Sequence, residues 1–298
     1  MKILITGSSG FIGSALVSNL RNNGHTITRL IRNKCNNPGD FQWNPASSEI
    51  DCKAFEGVQA VIHLAGAGIS EKRWTSSVKR QILQSRIMGT SLLCETISQL
   101  KDPPSILISA SGIGYYGNRD SSIVDESFDC GSDFLANVAK QWEMATLPAT
   151  SARIRLVIIR MGMVLDADGG ALKKMLLPFQ LGLGGTIGPG SQYMSWITLD
   201  DVLSAIQHIL RHDTLKGPVN LTAPNPVTNQ EFTKILGKVL RRPVLMHIPS
   251  FAIKVIMGEM AKALILNSIR ITPRKLIDSG FKFKHPDLLP ALTYILES

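Results

Sequence analysis

Thr6-Gly7-Ser8-Ser9-Gly10-Phe11-Ile12-Gly13 is the stretch that decides the fold. Before it stands the apolar run KILIT (residues 2–6), and after it comes SALVSNLRNN (14–23), whose helical spacing ends at Gly24. The next run, HTITRLI (25–31), is β-branched again, so strand, glycine turn, helix and strand form one βαβ unit. Glycines at 7, 10 and 13 allow a tight turn and a close approach of backbone to a pyrophosphate. The helix that follows offers open N–H groups and the positive end of its dipole. Gly7, Ser8, Ser9, Gly10, Phe11, Ile12 and Gly13 therefore predict a dinucleotide-binding loop.

Outward from this unit the pattern repeats. VQAVIHLAG (58–66) reads as a buried strand, SSVKRQILQSRIMGTSLLCETISQL (76–100) as a long amphipathic helix and SILISAS (105–111) as a strand closed by Gly112. DFLANVAKQWEMAT (133–146) is helical with Asp133 as a candidate N-cap, and RLVIIRMGMVL (155–165) is one further strand. Such alternation predicts an α/β protein built on a doubly wound parallel Rossmann sheet over residues 1–165, completed by parts of 195–225. Beyond it, the glycine-rich GLGGTIGPGSQ (182–192) and Pro-punctuated turns mark a smaller, discontinuous α+β substrate lobe over residues 166–298.

With 298 residues, 44% hydrophobic and 18% charged, the chain has the profile of a folded globular protein and not of a disordered one. Cys35, Cys52, Cys94 and Cys130 form no C-x-x-C pair, so neither a zinc ribbon nor a disulfide framework is encoded. Six scattered histidines offer only His208 and His212 on one helix face, which predicts no metal site. The start, MKILITG, enters a strand pattern at once, and the most apolar late stretch (243–266) is broken by His247, Lys254, Glu259 and Lys262. A cytoplasmic protein without a membrane span is the expectation. Net charge is +9, with 14 Lys/Arg against 13 Asp/Glu in residues 1–150 and 18 against 10 in residues 151–298. The basic tail has little interleaved aromatic character, which argues against nucleic acid and permits an anionic small-molecule substrate; oligomeric assembly is left open.

Cofactor selectivity turns on the end of the second strand, Thr28-Arg29-Leu30-Ile31-Arg32-Asn33-Lys34. An acidic residue there would favour NAD, and none is present, while Arg32 can pair with a 2′-phosphate. NADP is expected over NAD, with Arg29 and Lys34 as weaker participants.

TGSSGFIG, VIHLAGAGI, SRIMGT, SASGIGYYG and RMGMVL together resemble the extended short-chain dehydrogenase/reductase superfamily, which includes nucleotide-sugar epimerases. More narrowly, FLANVAKQWE, DGGALKKMLLPFQLGLGG, GSQYMSWITLDD, NLTAPNPVTNQEF and the tail through GFKFKHPDLLPAL are similar to the atypical YfcH-type epimerase-family group, with that group's C-terminal domain of unknown function. The resemblance implies an epimerase-like fold that binds NADP. It also implies that Leu64, Ala65 and Gly66 run beside the adenosine and ribose, with Ser109 to Ser111 on the nicotinamide side.

In that superfamily a Tyr and a Lys one helical turn later do the acid/base work, the ammonium lowering the phenol pKa. Here the residues four after Tyr115, Tyr116, Tyr193 and Tyr294 are Arg119, Asp120, Ile197 and Ser298, so the pair is absent. Aligning Glu143 with the family's trailing Glu puts Leu135 and Ala139 in its place. Ser111 and the loop phenols Tyr115 and Tyr116 are the remaining catalytic candidates, with Glu126 read as an exposed loop carboxylate. In the second lobe Gln192 and Trp196 are candidates for holding a polar, ring-shaped substrate, and Asp200 or Asp201 for capping the helix that follows. Two functions fit these residues: an NADP-dependent, epimerase-like oxidoreductase acting on a nucleotide-sugar-like or anionic substrate, or a non-catalytic NADP-binding redox sensor.

Overall fold

The computed structural model describes residues 1–32, 35 and 37–297. Eight strands make the main sheet: β1 (Lys2–Thr6), β2 (Thr26–Ile31), β3 (Asp40–Asn44), β4 (Glu49–Ile50), β5 (Ala60–His63), β6 (Ile106–Gly112), β7 (Arg155–Met161) and β8 (Gly217–Leu221). They lie in the order β8-β7-β6-β5-β1-β2-β3-β4. β1 pairs in parallel with β2 and β5, as do β2 with β3 and β5 with β6, and β4 returns antiparallel on β3. The doubly wound Rossmann-type α/β sheet expected from the alternation is thus present, and β3 and β4 extend it past the edge that the hydrophobic pattern marks. The helices that matter for the site are α1 (Phe11–Asn22), α2 (Ser76–Ser98) and α3 (Phe134–Met144).

Contacts divide the chain into two interleaved units. The first comprises residues 1–111, 138–159 and 207–218, and the second residues 112–137, 160–206 and 219–298. In the first unit Ile3, Leu4 and Ile5 of β1 are all buried, as a strand covered on both faces requires. Leu4, Leu30, Val61 and Leu107 of the sheet pack with Leu93, Cys94 and Ile97 of α2, and with Trp43 and Phe55. Each fully buried aliphatic side chain there contributes roughly 1.5–3 kcal/mol of transfer free energy.

The second unit has its own core around Trp196, Phe232, Leu236, Leu288 and Leu292. Its entry is a strand switch. The sequence pattern joins residues 155–165 into one strand, but Gly162 divides it, and Met163–Leu165 pairs instead with Trp196–Thr198. A Cβ on Gly162 would stand 2.8 Å from Ser195 O, so only glycine permits the crossing. Asp200 and Asp201, expected as helix caps, lie inside the first turn of the helix Leu199–Arg211, and Thr198 Oγ1 is the cap that accepts from Asp201 N (3.1 Å). Asp201 is instead wholly buried, and its carboxylate accepts from the amides of Lys284 (2.8 Å) and His285 (3.0 Å), binding the C-terminal segment. Asp200 accepts from the Tyr294 hydroxyl. Among the described residues no helix is long and apolar enough to cross a membrane.

A hydrogen-bonded thread crosses the interior of the first unit. Trp142 Nε1 donates to Thr90 Oγ1 (2.9 Å), Thr90 Oγ1 lies 2.9 Å from His63 Nε2, and His63 Nδ1 lies 2.7 Å from Thr6 Oγ1. An indole only donates, so Thr90 accepts from Trp142, and both nitrogens of His63 lie within hydrogen-bond distance of a threonine hydroxyl. Complete burial holds the imidazole pKa down at about 4, which leaves it neutral at pH 7.

The sign of the pH effect follows. Above about 6.5, the usual histidine value, neither state holds a proton on His63; between there and about 4 the unfolded chain takes one up and the native chain does not. Stability should fall as pH drops through that window, by about 3 kcal/mol at pH 4 from this group alone. Urea unfolding across pH 7.5 to 4 checks it: His63→Gln should be less stable than wild type at neutral pH and lose less on acidification.

Candidate functional site

The glycine turn is a packing device before it is a ligand loop. Gly7 has φ +70°, and a Cβ there would meet Leu64 C at 2.7 Å and Ala65 N at 2.8 Å. A Cβ on Gly13 would meet Gly7 O at 2.1 Å, whereas one on Gly10 would be 3.3 Å from the same oxygen. The end of β1, the first turn of α1 and the segment after β5 thus converge on bare backbone. Gly10 N donates to Gly7 O at 3.1 Å, closing the turn.

That convergence leaves polar groups without protein partners. Gly10 is the N-cap of α1 and no side chain caps the helix, so its first N–H groups remain available to an anion. Ser8 and Ser109 are buried, yet neither hydroxyl has a hydrogen-bond partner. A buried hydroxyl without a partner costs roughly 1–3 kcal/mol, a cost that a ligand's oxygens remove. These features fit a dinucleotide: bare backbone for the diphosphate, open amides and two orphaned hydroxyls. Gly7 to Gly13, Leu64, Ala65, Gly66, Ser109 and Ser111 all belong to the first unit, where the Gly7 turn touches Leu64 and Ala65 and Ser109 pairs with His63 on β5.

The cations near this loop divide by strand alternation. Arg29 is committed to Asp40 through two bonds of 2.6 Å, Nε to Oδ1 and Nη2 to Oδ2. Arg32, after the end of β2, is exposed, and Lys34 lies outside the described residues. Ser111, at the C-terminal end of β6, is buried and donates to Glu143 Oε1 at 2.7 Å. Glu143 is on α3, where sequence reasoning treated it only as an alignment anchor.

In the second unit Tyr116 is wholly enclosed. Its hydroxyl donates to Asn220 Oδ1 (2.7 Å) and accepts from Arg160 Nη1 (3.0 Å), and burial pushes its pKa up to about 12 against the pull of Arg160. Half-buried Tyr115 carries the Arg160 guanidinium 3.5 Å above its ring. Glu126 departs from its reading as an exposed carboxylate. It is 8% exposed, accepts from the amides of Asn220 (3.0 Å) and Lys275 (3.3 Å), and its pKa is raised by burial. The signal for this cluster was in the sequence: Arg160 and Asn220 are polar residues inside the apolar runs RLVIIRM and PVNL.

Trp196 is fully buried in its unit's core with Nε1 donating to Asn225 O, so its indole offers no open face. Gln192 is buried too; its Nε2 donates to Ile187 O at 2.9 Å, and its Oε1 has no partner. Among the described residues no group of three His, Cys, Asp or Glu is placed to hold a metal ion.

Comparison with known proteins follows this geometry. Residues 3–221 match the NAD dependent epimerase/dehydratase family, and residues 248–295 match a domain of unknown function, DUF1731. An epimerase family protein of Mycobacterium leprae is 41% identical over 292 residues, covering 98% of this chain and 94% of that protein. The crystal structure of the human epimerase family protein SDR39U1 with NADPH is 33% identical, with a TM-score of 0.91 over 100% of this chain and 99% of that one. A Corynebacterium glutamicum structure described as a nucleoside-diphosphate sugar epimerase is 32% identical with a TM-score of 0.83, covering 99% of this chain and 58% of that one.

The two glycines closing the turn should respond differently to one added methyl. Gly13→Ala forces its Cβ into the Gly7 carbonyl and should lower the melting temperature by several degrees without any ligand, consistent with an overpacking cost of about 1–3 kcal/mol. Gly10→Ala has room by comparison and should melt within about two degrees of wild type. Calorimetry of the two variants checks the order; equal melting points would contradict it.

Proposed function

Because the chain belongs to the NAD-dependent epimerase/dehydratase family, we propose that it binds NADP(H) in preference to NAD(H) and works as an epimerase-like oxidoreductase on a small anionic or nucleotide-sugar-like substrate. The observation that carries this reading is the cradle at Gly7 and Gly13, with Ser8 and Ser109 hydroxyls lacking partners beside it. The human relative crystallised with NADPH supports the same cofactor, and Arg32, exposed past the end of β2 with no acidic residue at that strand end, supplies the guanidinium for a 2′-phosphate. The basic excess of residues 151–298 suits an anionic substrate.

Leu64, Ala65 and Gly66 line the adenosine and ribose; Trp196 and Gln192, buried in the second unit, are structural groups there. The cofactor supplies hydride exchange at its nicotinamide. Ser111 orients the reacting oxygen: with its proton given to Glu143, its oxygen is free to accept from a substrate alcohol. Of the two loop phenols, Tyr115 is the proton donor, being half-buried where Tyr116 is wholly enclosed with its hydroxyl held by Asn220 and Arg160. One observation favours a second reading as a redox sensor: α3 carries Leu135 and Ala139 where the superfamily's Tyr and Lys stand.

Titration calorimetry tests the cofactor: NADPH should bind at least about tenfold more tightly than NADH, and Arg32→Ala should erase that difference. Equal affinities in wild type would reject the NADP assignment. A screen of nucleotide sugars and carbonyl compounds, read at the nicotinamide absorbance, tests activity. Once a substrate is found, Tyr115→Phe should lower turnover by about 10²-fold with cofactor affinity nearly intact. No turnover in a protein that binds NADPH would favour the sensor.

A further inference from the structure

Arg86, on α2, is a cation without a counter-charge. Its Nη1 donates to the carbonyls of Ala67 and Ile82, each at 3.0 Å, and its guanidinium lies 4.8 Å from the centre of the Trp142 ring. Among the described residues no carboxylate pairs with it, and its Nε and Nη2 donate to no protein atom. Burial lowers its pKa to about 10, which still leaves it charged at neutral pH. Arg86 is half-buried, and carbonyl dipoles and an aromatic face offset only part of what its charge loses in solvation.

The surroundings identify the missing partner. A Cβ on Gly66 would lie 3.3 Å from the Arg86 Cζ, so the guanidinium rests against the segment that follows β5. That segment, at Leu64 and Ala65, touches the Gly7 turn. In the sheet β5 flanks β1 on the side opposite β2, the strand that leads to Arg32. Arg86 and Arg32 therefore belong to opposite flanks of the glycine turn, and an anion reached from the Arg86 side is not the 2′-phosphate. The indole beneath Arg86 is itself held, through Thr90 and His63, to Thr6 at the root of the turn. The cation and the turn are fixed by one thread.

We propose that Arg86 binds the cofactor's diphosphate from the β5 flank through Nε and Nη2. The proposal rests on the dinucleotide reading given above and adds to it a residue that acts on NADPH and NADH alike, because both carry the diphosphate. Arg32 acts only where the 2′-phosphate is present.

Titration calorimetry with NADPH and NADH on the full chain separates the two arginines. Arg86→Met keeps the stem that packs on Gly66 and removes the charge; it should weaken both nucleotides by about tenfold or more, by the same factor. Arg86→Lys should recover part of that loss. Unchanged affinity for both nucleotides in Arg86→Met, or a loss confined to NADPH, overturns the assignment. A wild-type chain that binds neither nucleotide refutes the cofactor reading instead. Where the Met variant melts below the working temperature, a crystal structure of the wild type with NADPH decides: a diphosphate oxygen within hydrogen-bond distance of Nε or Nη2 supports the contact, and a diphosphate beyond that reach overturns it.

Discussion

The carbonyl of Gly7 is the tightest constraint in the first unit. It accepts from Gly10 N, and it sits where a Cβ on Gly13 would be, 2.1 Å away. The same glycine, at φ +70°, touches the backbone of Leu64 and Ala65. One turn with glycine at each close approach thus locks the end of β1, the start of α1 and the exit of β5 to one another. Because those three backbones cannot separate, the open amides of α1 and the hydroxyls of Ser8 and Ser109 are preorganised, so little ordering cost falls on ligand binding. The loop's chemistry follows from its packing.

Each unit also joins some of its buried polar groups into a chain. In the first, Trp142, Thr90, His63 and Thr6 are linked through the interior. In the second, Arg160 supports the Tyr116 hydroxyl, which donates to Asn220, whose amide in turn donates to Glu126. That loop phenol is thereby a structural group with a raised pKa, and Tyr115, stacked against the same guanidinium, is the one placed at the edge of the cluster.

Periodicity revealed the first unit well because its strands are buried on both faces and its helices alternate with them. KILIT, HTITRLI and SILISAS coincide with β1, β2 and β6 to within a residue or two. β3 escaped because FQWN is short and mixed, its place in the sheet depending on pairing to β2. The break at Gly162 escaped because nothing local in RLVIIRMGMVL distinguishes a strand that continues from one that changes partner; Ser195 decides it from far along the chain. Among site residues the glycines were readable because their need is local backbone geometry. Trp196 and Gln192 were harder, since an indole or an amide serves a core and a ligand equally well by residue type, and only burial separates the two uses.

Three arginines of the first unit show how sheet position gives one side chain three roles. Arg29, inside β2, faces Asp40 on β3 across one strand spacing, and its charge is spent there in a bidentate pair. Arg32, past the strand end, has left the ladder and stays in solvent, where a guanidinium keeps its charge. Arg86 is drawn inward by α2 against Gly66 and Trp142, where carbonyls hold one nitrogen and leave the rest of the fork directed away from protein acceptors. A carboxylate near Arg86 would have neutralised it as Asp40 neutralises Arg29, and the first unit would then present cationic charge to a dinucleotide from the β2 flank alone. The absence of a carboxylate partner for Arg86 leaves a cation on each flank of the glycine turn, which under the proposed reading suits a ligand with a central diphosphate and a terminal 2′-phosphate.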